Sequence, residues 1–214
     1  MKHWGKDVLI SRRGLIGVGA GLLVAQAARA DLLITPEQTT GPFYPHEKPS
    51  DSDMDLTIIN GRSGTAQGRV IELAGRVLAV KGYPLKGAIV EIWQADSRGI
   101  YNHPFERHRR LRDNNFQGFG AVKVGADGFY RFRTIKPRFY DTGAGLRTPH
   151  IHYRVVTADR RELVTQMYFP GEPMNRQDGI YLGLRSKAVQ AAATARLIGV
   201  KGGFNQYRYD LVIA

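Results

Sequence analysis

The stretch Gly120-Ala121-Val122-Lys123-Val124-Gly125-Ala126-Asp127-Gly128-Phe129-Tyr130-Arg131-Phe132-Arg133-Thr134 decides the class of fold. Two short β-rich runs, Gly120–Val124 and Phe129–Thr134, flank Gly125-Ala126-Asp127-Gly128, which has a turn composition. Similar runs recur outward on both sides. Val70–Ala74 and Arg76–Val80 flank Gly75, and Val80–Ala88 reads as a strand, a turn and a strand. Ala88–Ala95 alternates apolar with mixed residues, His150–Thr157 and Leu163–Phe169 follow, and a Tyr-rich run spans Gln206–Ile213. Only Ser186–Ile198 reads as a helix, with Ala at many positions. Short strands at this spacing predict an all-β protein, an antiparallel β-sandwich with irregular loops and one short helix near the C-terminus.

The chain has 214 residues, enough for one domain with a sizeable core once an export segment is set aside. That segment is residues 1–30. Ser11-Arg12-Arg13-Gly14-Leu15-Ile16 opens an apolar, Gly/Ala-rich stretch that ends at Ala28-Arg29-Ala30. A basic start, a short apolar centre and a small-x-small end make a secretory signal, here of twin-arginine type. The run from Gly14 to Ala28 is short and Gly-rich for a membrane span, so no stable span is expected after signal removal and the destination is the periplasm. Residues 31–214 then form the single expected domain.

There are no cysteines, which excludes thiolate catalysis, Cys-bound zinc, iron–sulfur clusters and disulfides. The net charge of +12 could attract nucleic acid, anionic lipid or a small anionic substrate, or serve solubility alone. The densest basic run, Arg107-His108-Arg109-Arg110-Leu111-Arg112, is short and reads as a solvated loop, so nucleic acid is not expected as a partner.

His150-Ile151-His152 opens a strand-like run. Strand alternation sends residues i and i+2 to one face, so both imidazoles point the same way and make half of a transition-metal site. Alone, the pair could as well be two surface histidines. No His follows His152, and Asp159 and Glu162 lie toward the far end of the strand. Two tyrosines, Tyr101 and Tyr140, fall just beyond strand-like runs, in loops that can gather at one end of a sandwich.

At these residues the sequence resembles the intradiol ring-cleavage dioxygenases, near the protocatechuate and catechol enzymes. The matching stretches are Thr40-Gly41-Pro42-Phe43-Tyr44, Trp93-x-Ala95 with Gly99-x-Tyr101, Gly128-x-Tyr130-x-Phe132-x-Thr134-Ile135-x-Pro137, Arg147-x-Pro149-His150-Ile151-His152 and Thr165-Gln166-Met167-Tyr168-Phe169, in order. The resemblance implies Fe(III) held by Tyr101, Tyr140, His150 and His152. Fe(III) is a hard cation that favours anionic oxygen and lowers the pKa of a bound phenol. The resemblance further implies that a catecholic substrate displaces Tyr140, and that O2 opens the ring between its hydroxylated carbons to give a cis,cis-muconate-type diacid. Arg147 would stabilise developing negative charge, and Gln166 would hydrogen-bond near the iron. Tyr44 is a candidate lining of the substrate pocket, or a packing aromatic.

Trp93 reads as core, Tyr130, Tyr153 and Tyr168 as structural, and His103 and His108 as unassigned surface histidines. Departures from the family pattern include Asp141 after the second Tyr and a short N-terminal region without the helices of catechol-type members. Assembly stays open, an oligomer or a second unlike chain being compatible with the resemblance. Two other readings compete. One is a non-catalytic periplasmic ligand-binding β-sandwich module. The other is a zinc or copper enzyme that uses the His pair and leaves both tyrosines unexplained.

Overall fold

The computed structural model describes residues 31–214; the export signal expected over residues 1–30 lies outside the described residues. Along the chain run β1 (Val70–Ala79), β2 (Ile89–Trp93), β3 (Phe119–Lys123), β4 (Phe129–Ile135), β5 (Tyr140–Asp141), β6 (Leu146–Arg147), β7 (His150–Val156) and β8 (Glu162–Tyr168). Two short helices follow, α1 (Gly179–Gly183) and α2 (Lys187–Ala192), then β9 (Arg196–Lys201), β10 (Phe204–Arg208) and β11 (Leu211–Ile213).

The strands make the expected sandwich. One sheet is antiparallel throughout, in the order β3-β2-β7-β8. In the other, β1 lies between β4, which is antiparallel to it, and β10 and β11, which run parallel to its two halves; β9 pairs antiparallel with β10 at the edge. The parallel pairings depart from the expected antiparallel pattern. β5 and β6 form a separate small hairpin. Between the sheets pack Ile71, Leu73 and Val77 of β1, Tyr130 and Phe132 of β4, Val90 and Ile92 of β2, Ile151, Tyr153 and Val155 of β7, and Leu163 and Met167 of β8. Burying each large side chain contributes about 1.5–3 kcal/mol before entropy is counted.

The turn at residues 125–128 forms as its composition predicts. The Gly128 N–H donates to the Gly125 carbonyl at 3.2 Å, and Asp127 Oδ1 accepts from the Phe129 N–H at 3.1 Å. It does not close a hairpin, however. β3 pairs with β2 while β4 pairs with β1, so the turn carries the chain from one sheet to the other. Local turn chemistry fixes the reversal but not which strand receives each edge.

Gly75 does not end a strand either. β1 runs unbroken through it, and its parallel partner changes there from β10 to β11. The chain between those two strands presses against β1: the Tyr209 N–H donates to the Ala74 carbonyl at 2.9 Å, and Asp210 Oδ1 accepts from the Arg76 N–H at 3.0 Å. A Cβ on Gly75 would fall on the Tyr209 carbonyl oxygen and within 2.8 Å of the Tyr130 hydroxyl.

The helix expected over Ser186–Ile198 is shorter than its alanines suggest. Ser186 caps α2, accepting from the Val189 N–H at 3.1 Å, but the helix stops at Ala192. Beyond it the backbones of Ala193 and Ala195 bond to that of Tyr168 at 2.9 Å each, and the chain enters β9. Sheet pairing thus overrides a helix propensity worth a few tenths of a kcal/mol per residue.

Gly75→Ala is expected to destabilise the fold by about 1–3 kcal/mol, because backbone rather than a flexible side chain has to move. Urea unfolding should show a lower midpoint at an unchanged slope.

Candidate active site

The alternation of β7 that sends Ile151, Tyr153 and Val155 into the core turns His150 and His152 to the outer face of the four-stranded sheet. There they are covered by loops and buried. Their Nε2 atoms are 3.2 Å apart. His150 Nδ1 lies 2.6 Å from the Thr148 carbonyl, so it carries the proton, donates it to that oxygen, and leaves Nε2 as a lone pair facing the site. His152 is flanked across the sheet by Trp93 and Gln166, and His150 by Tyr168. The Trp93 indole stacks on the His152 ring at 4.7 Å and 14°. Trp93 therefore belongs to the outer face with the site rather than to the core between the sheets, where the sequence reading placed it.

Tyr101 comes from the long segment between β2 and β3. Asp96 shapes that segment, its Oδ1 accepting from the N–H groups of Arg98 at 2.8 Å and Ile100 at 3.0 Å. Gly99 follows at a φ of +85°, and a Cβ there would lie 2.7 Å from the Phe139 carbonyl oxygen and 3.2 Å from Tyr140 Cβ. The glycine lets the two tyrosine-bearing segments touch. The Tyr101 hydroxyl lies 3.5 Å from His150 Nε2, and its ring stacks on Phe43 at 4.4 Å. Tyr140 meets Tyr101 edge-on at 5.5 Å and His150 at 5.8 Å between ring centres. Tyr101 is buried, while Tyr140 lines a cavity of about 610 Å³ with Phe43, Ile100, Phe105, Glu106 and Arg138.

Arg147 stands directly opposite Tyr140 in the β5–β6 hairpin. Its Nε donates to Asp178 Oδ2 at 2.9 Å, and a terminal guanidinium nitrogen donates to Gln166 Oε1. Gln166 is fully buried, and its Nε2 donates to the Thr39 carbonyl at 3.0 Å. The Tyr168 hydroxyl also donates to Gln166 Oε1, at 3.3 Å. The Gln166 amide thus ties Arg147 to the loop that roofs His152, where a Cβ on Gly41 would touch the imidazole at 3.4 Å.

His103 and Asp178 depart from the sequence reading, and Tyr44 takes the packing place that was one of its two alternatives. It is not among the residues lining the 610 Å³ cavity. Its ring packs edge-on against Trp93 at 4.9 Å, and its hydroxyl donates to Glu91 Oε2 at 2.8 Å, beside Lys48 and Arg154. It supports the site from behind Trp93. His103, read as a surface histidine, is 2% exposed and packs against Phe43 and Phe105. Asp178 was missed altogether. Its signal was an acidic residue just before Gly179-Ile180-Tyr181, the composition of a helix N-cap. Asp159 and Glu162, by contrast, are bound to Arg161 and Arg154 as surface pairs.

Burial pushes both histidines well below the ordinary imidazole range, aided at His150 by the Arg147 charge and at His152 by His150 and Arg147. Burial likewise pushes the Tyr101 and Tyr140 phenols up, with Arg147 opposing the rise at Tyr140. Two neutral imidazoles with converging Nε2 atoms and two phenols held close by could therefore take a cation that replaces the phenol protons. Among the described residues no three His, Cys, Asp or Glu side chains gather in a metal-holding group.

A family model described as Dioxygenase matches residues 39–214. The chain is 37% identical over 183 residues to the protocatechuate 3,4-dioxygenase beta chain of Burkholderia cepacia, covering 80% of this chain and 76% of that one. It is 33% identical over 161 residues to catechol 1,2-dioxygenase 1 of Acinetobacter lwoffii, covering 69% of this chain but 50% of that protein, so it spans about half of that relative. Among solved structures it superposes on the dioxygenase domain of a dioxygenase carbohydrate-binding fusion from Streptomyces sp. SirexAA-E with a TM-score of 0.64 at 28% identity, covering 84% of this chain and 97% of that domain. The catechol 1,2-dioxygenase of Acinetobacter sp. ADP1 gives 0.65 at 26% identity, covering 83% and 62%. The chain is an enzyme of the intradiol ring-cleavage dioxygenase family.

Proposed function

We propose that this enzyme binds Fe(III) through Tyr101, Tyr140, His150 and His152 and uses O2 to open a catecholic ring between its two hydroxylated carbons, giving a cis,cis-muconate-type diacid. The observation that carries the reading is the convergence of two imidazole Nε2 atoms 3.2 Å apart with the Tyr101 hydroxyl 3.5 Å from one of them, and Tyr140 beside them on the cavity wall. Two phenolates suit a hard trivalent cation and offset most of its charge in a buried site. Bound ferric iron would supply the Lewis acidity that draws in both catechol oxygens as anions and makes the ring nucleophilic toward O2.

The residues divide the remaining work. Tyr101 is buried and stacked on Phe43, so it stays in place. Tyr140 lies on the cavity wall, where an entering diol meets it; its phenolate oxygen would take one catechol proton and solvent water in the open cavity the other. Arg147, opposite Tyr140, places a fixed cation where negative charge develops on the ring. Gln166 spends its carbonyl oxygen on Arg147 and Tyr168 and one amide hydrogen on Thr39, so it orients rather than reacts. Arg98, Arg107 and Arg138 line the cavity against Glu106 and Asp141, a net positive lining that favours a substrate with an anionic substituent. Ser11-Arg12-Arg13 and the small-residue end at Ala30 support export to the periplasm through the twin-arginine route.

Iron-loaded protein is expected to show a broad visible phenolate-to-Fe(III) band that shifts on anaerobic addition of its diol. A protein that binds Fe(III) and stays colourless sinks the reading. Arg147→Gln should keep the band and lower kcat by about 10²–10³-fold, the effect of removing one preorganised charge donor. Protocatechuate should show a lower KM than catechol at low salt, with the difference shrinking as salt is raised; equal KM values would remove the cavity arginines from substrate selection.

A further inference from the structure

Asp178, its side chain fully buried, lies beside the site, and nothing in the family pattern quoted above includes it. Four donors converge on it. Oδ2 accepts from Arg147 Nε and from the Thr148 N–H, each at 2.9 Å. Oδ1 accepts from the N–H groups of Ile180 at 2.9 Å and Tyr181 at 3.0 Å. One side chain therefore joins the start of α1 to the bend between β6 and β7. Asn175 strengthens the same junction: its Oδ1 accepts from the Thr148 hydroxyl at 2.9 Å, and its Nδ2 donates to the Phe169 carbonyl at 3.0 Å.

The bend that is clamped carries two arms of the site. Arg147 precedes it, and the Thr148 carbonyl within it accepts the His150 Nδ1 proton. We propose that Asp178 is a positioning residue for the ring-opening reaction, fixing the Arg147 guanidinium at the phenol pair. The proposal rests on the functional reading given above. Charge supports it as well as geometry. Arg147 is mostly buried, and Asp178 is the only carboxylate within salt-bridge distance of it among the described residues. A buried guanidinium without its anion would turn toward water or toward the phenolates. Helix capping alone needs only Oδ1, and the second oxygen is spent wholly on the bend.

Two variants separate these duties. Asp178→Ser retains a hydroxyl able to cap α1 and removes the ion pair; Asp178→Asn retains the shape and removes the charge. Each is measured as iron-loaded protein, alone and combined with Arg147→Gln, for kcat/KM, for the visible band and for melting temperature. Both single variants are expected to keep the band and lose about 10–100-fold in kcat/KM, as outer-shell partners of metal sites do. In the Arg147→Gln background the same substitutions should cost less than threefold, and their melting-temperature losses should be smaller than in the wild type. Equal losses in both backgrounds overturn the proposal, since Asp178 would then not act through Arg147. So does an Asp178→Ser protein that does not fold, which would make the residue structural only. A wild type that binds iron but opens no catecholic ring overturns the functional reading, and the proposal with it. An active wild type with additive losses overturns the proposal alone.

Discussion

The two-residue period of one strand governs both what holds this molecule together and what it can do. β7 drives Ile151, Tyr153 and Val155 into the apolar layer between the sheets, and their burial fixes its register. His150 and His152 have then no other place than the outer face. A slip of one residue would exchange the sets, exposing three large apolar groups and burying two imidazoles in the core. The histidine pair is thus held by hydrophobic energy spent on its neighbours, with the Thr148 carbonyl orienting His150 and the Trp93 indole stacking on His152.

A sheet face is flat and open, so the rest of the site is roofing. The loop at Gly41 closes on His152, Phe43 stacks on Tyr101, and Gly99 lets the two tyrosine segments meet. Polar anchors hold these loops. Gln166 grips the Thr39 carbonyl, Asp96 ties Arg98, Ile100 and Asp113, and Glu91 gathers Tyr44, Lys48 and Arg154 behind Trp93. Burial beneath these loops disfavours charge on every titratable ligand candidate. Such burial makes a cation and two phenolates each other's best partners.

Much of this was legible in the sequence because it depends on short-range rules. His-x-His reads directly as one face of a strand, and the strand spacing reads as a sandwich. What failed were partnerships set by distant chain. The turn at residues 125–128 has hairpin chemistry, yet the two strands it links find partners in different sheets. The alanines after residue 192 meet the backbone of Tyr168 and leave the helix. His103 and Asp178 look like ordinary polar residues; their surroundings include Phe43 and the Arg147 guanidinium, which lie far off in sequence. For Tyr44 the sequence leaves two places open, pocket lining or packing aromatic, because only the position of Glu91 shows which way its hydroxyl turns.

The parallel pairing of β1 with β10 and β11 bears on the order in which the chain can fold. The Arg76 N–H donates to Asp210, 134 residues downstream, and neither the Gly75 crossing nor the β11 pairing exists until that segment has been made. On the ribosome, β2, β3, β7 and β8 emerge earlier and can pair among themselves. β1 and β4, also made early, can cover much of their apolar inner face, but the edge of β1 that β10 and β11 take stays open until those strands exist. High contact order of this kind slows folding and lengthens exposure to aggregation. The edge of β1 is thus the part of this fold left open longest during synthesis, until residues 204–213 have joined it.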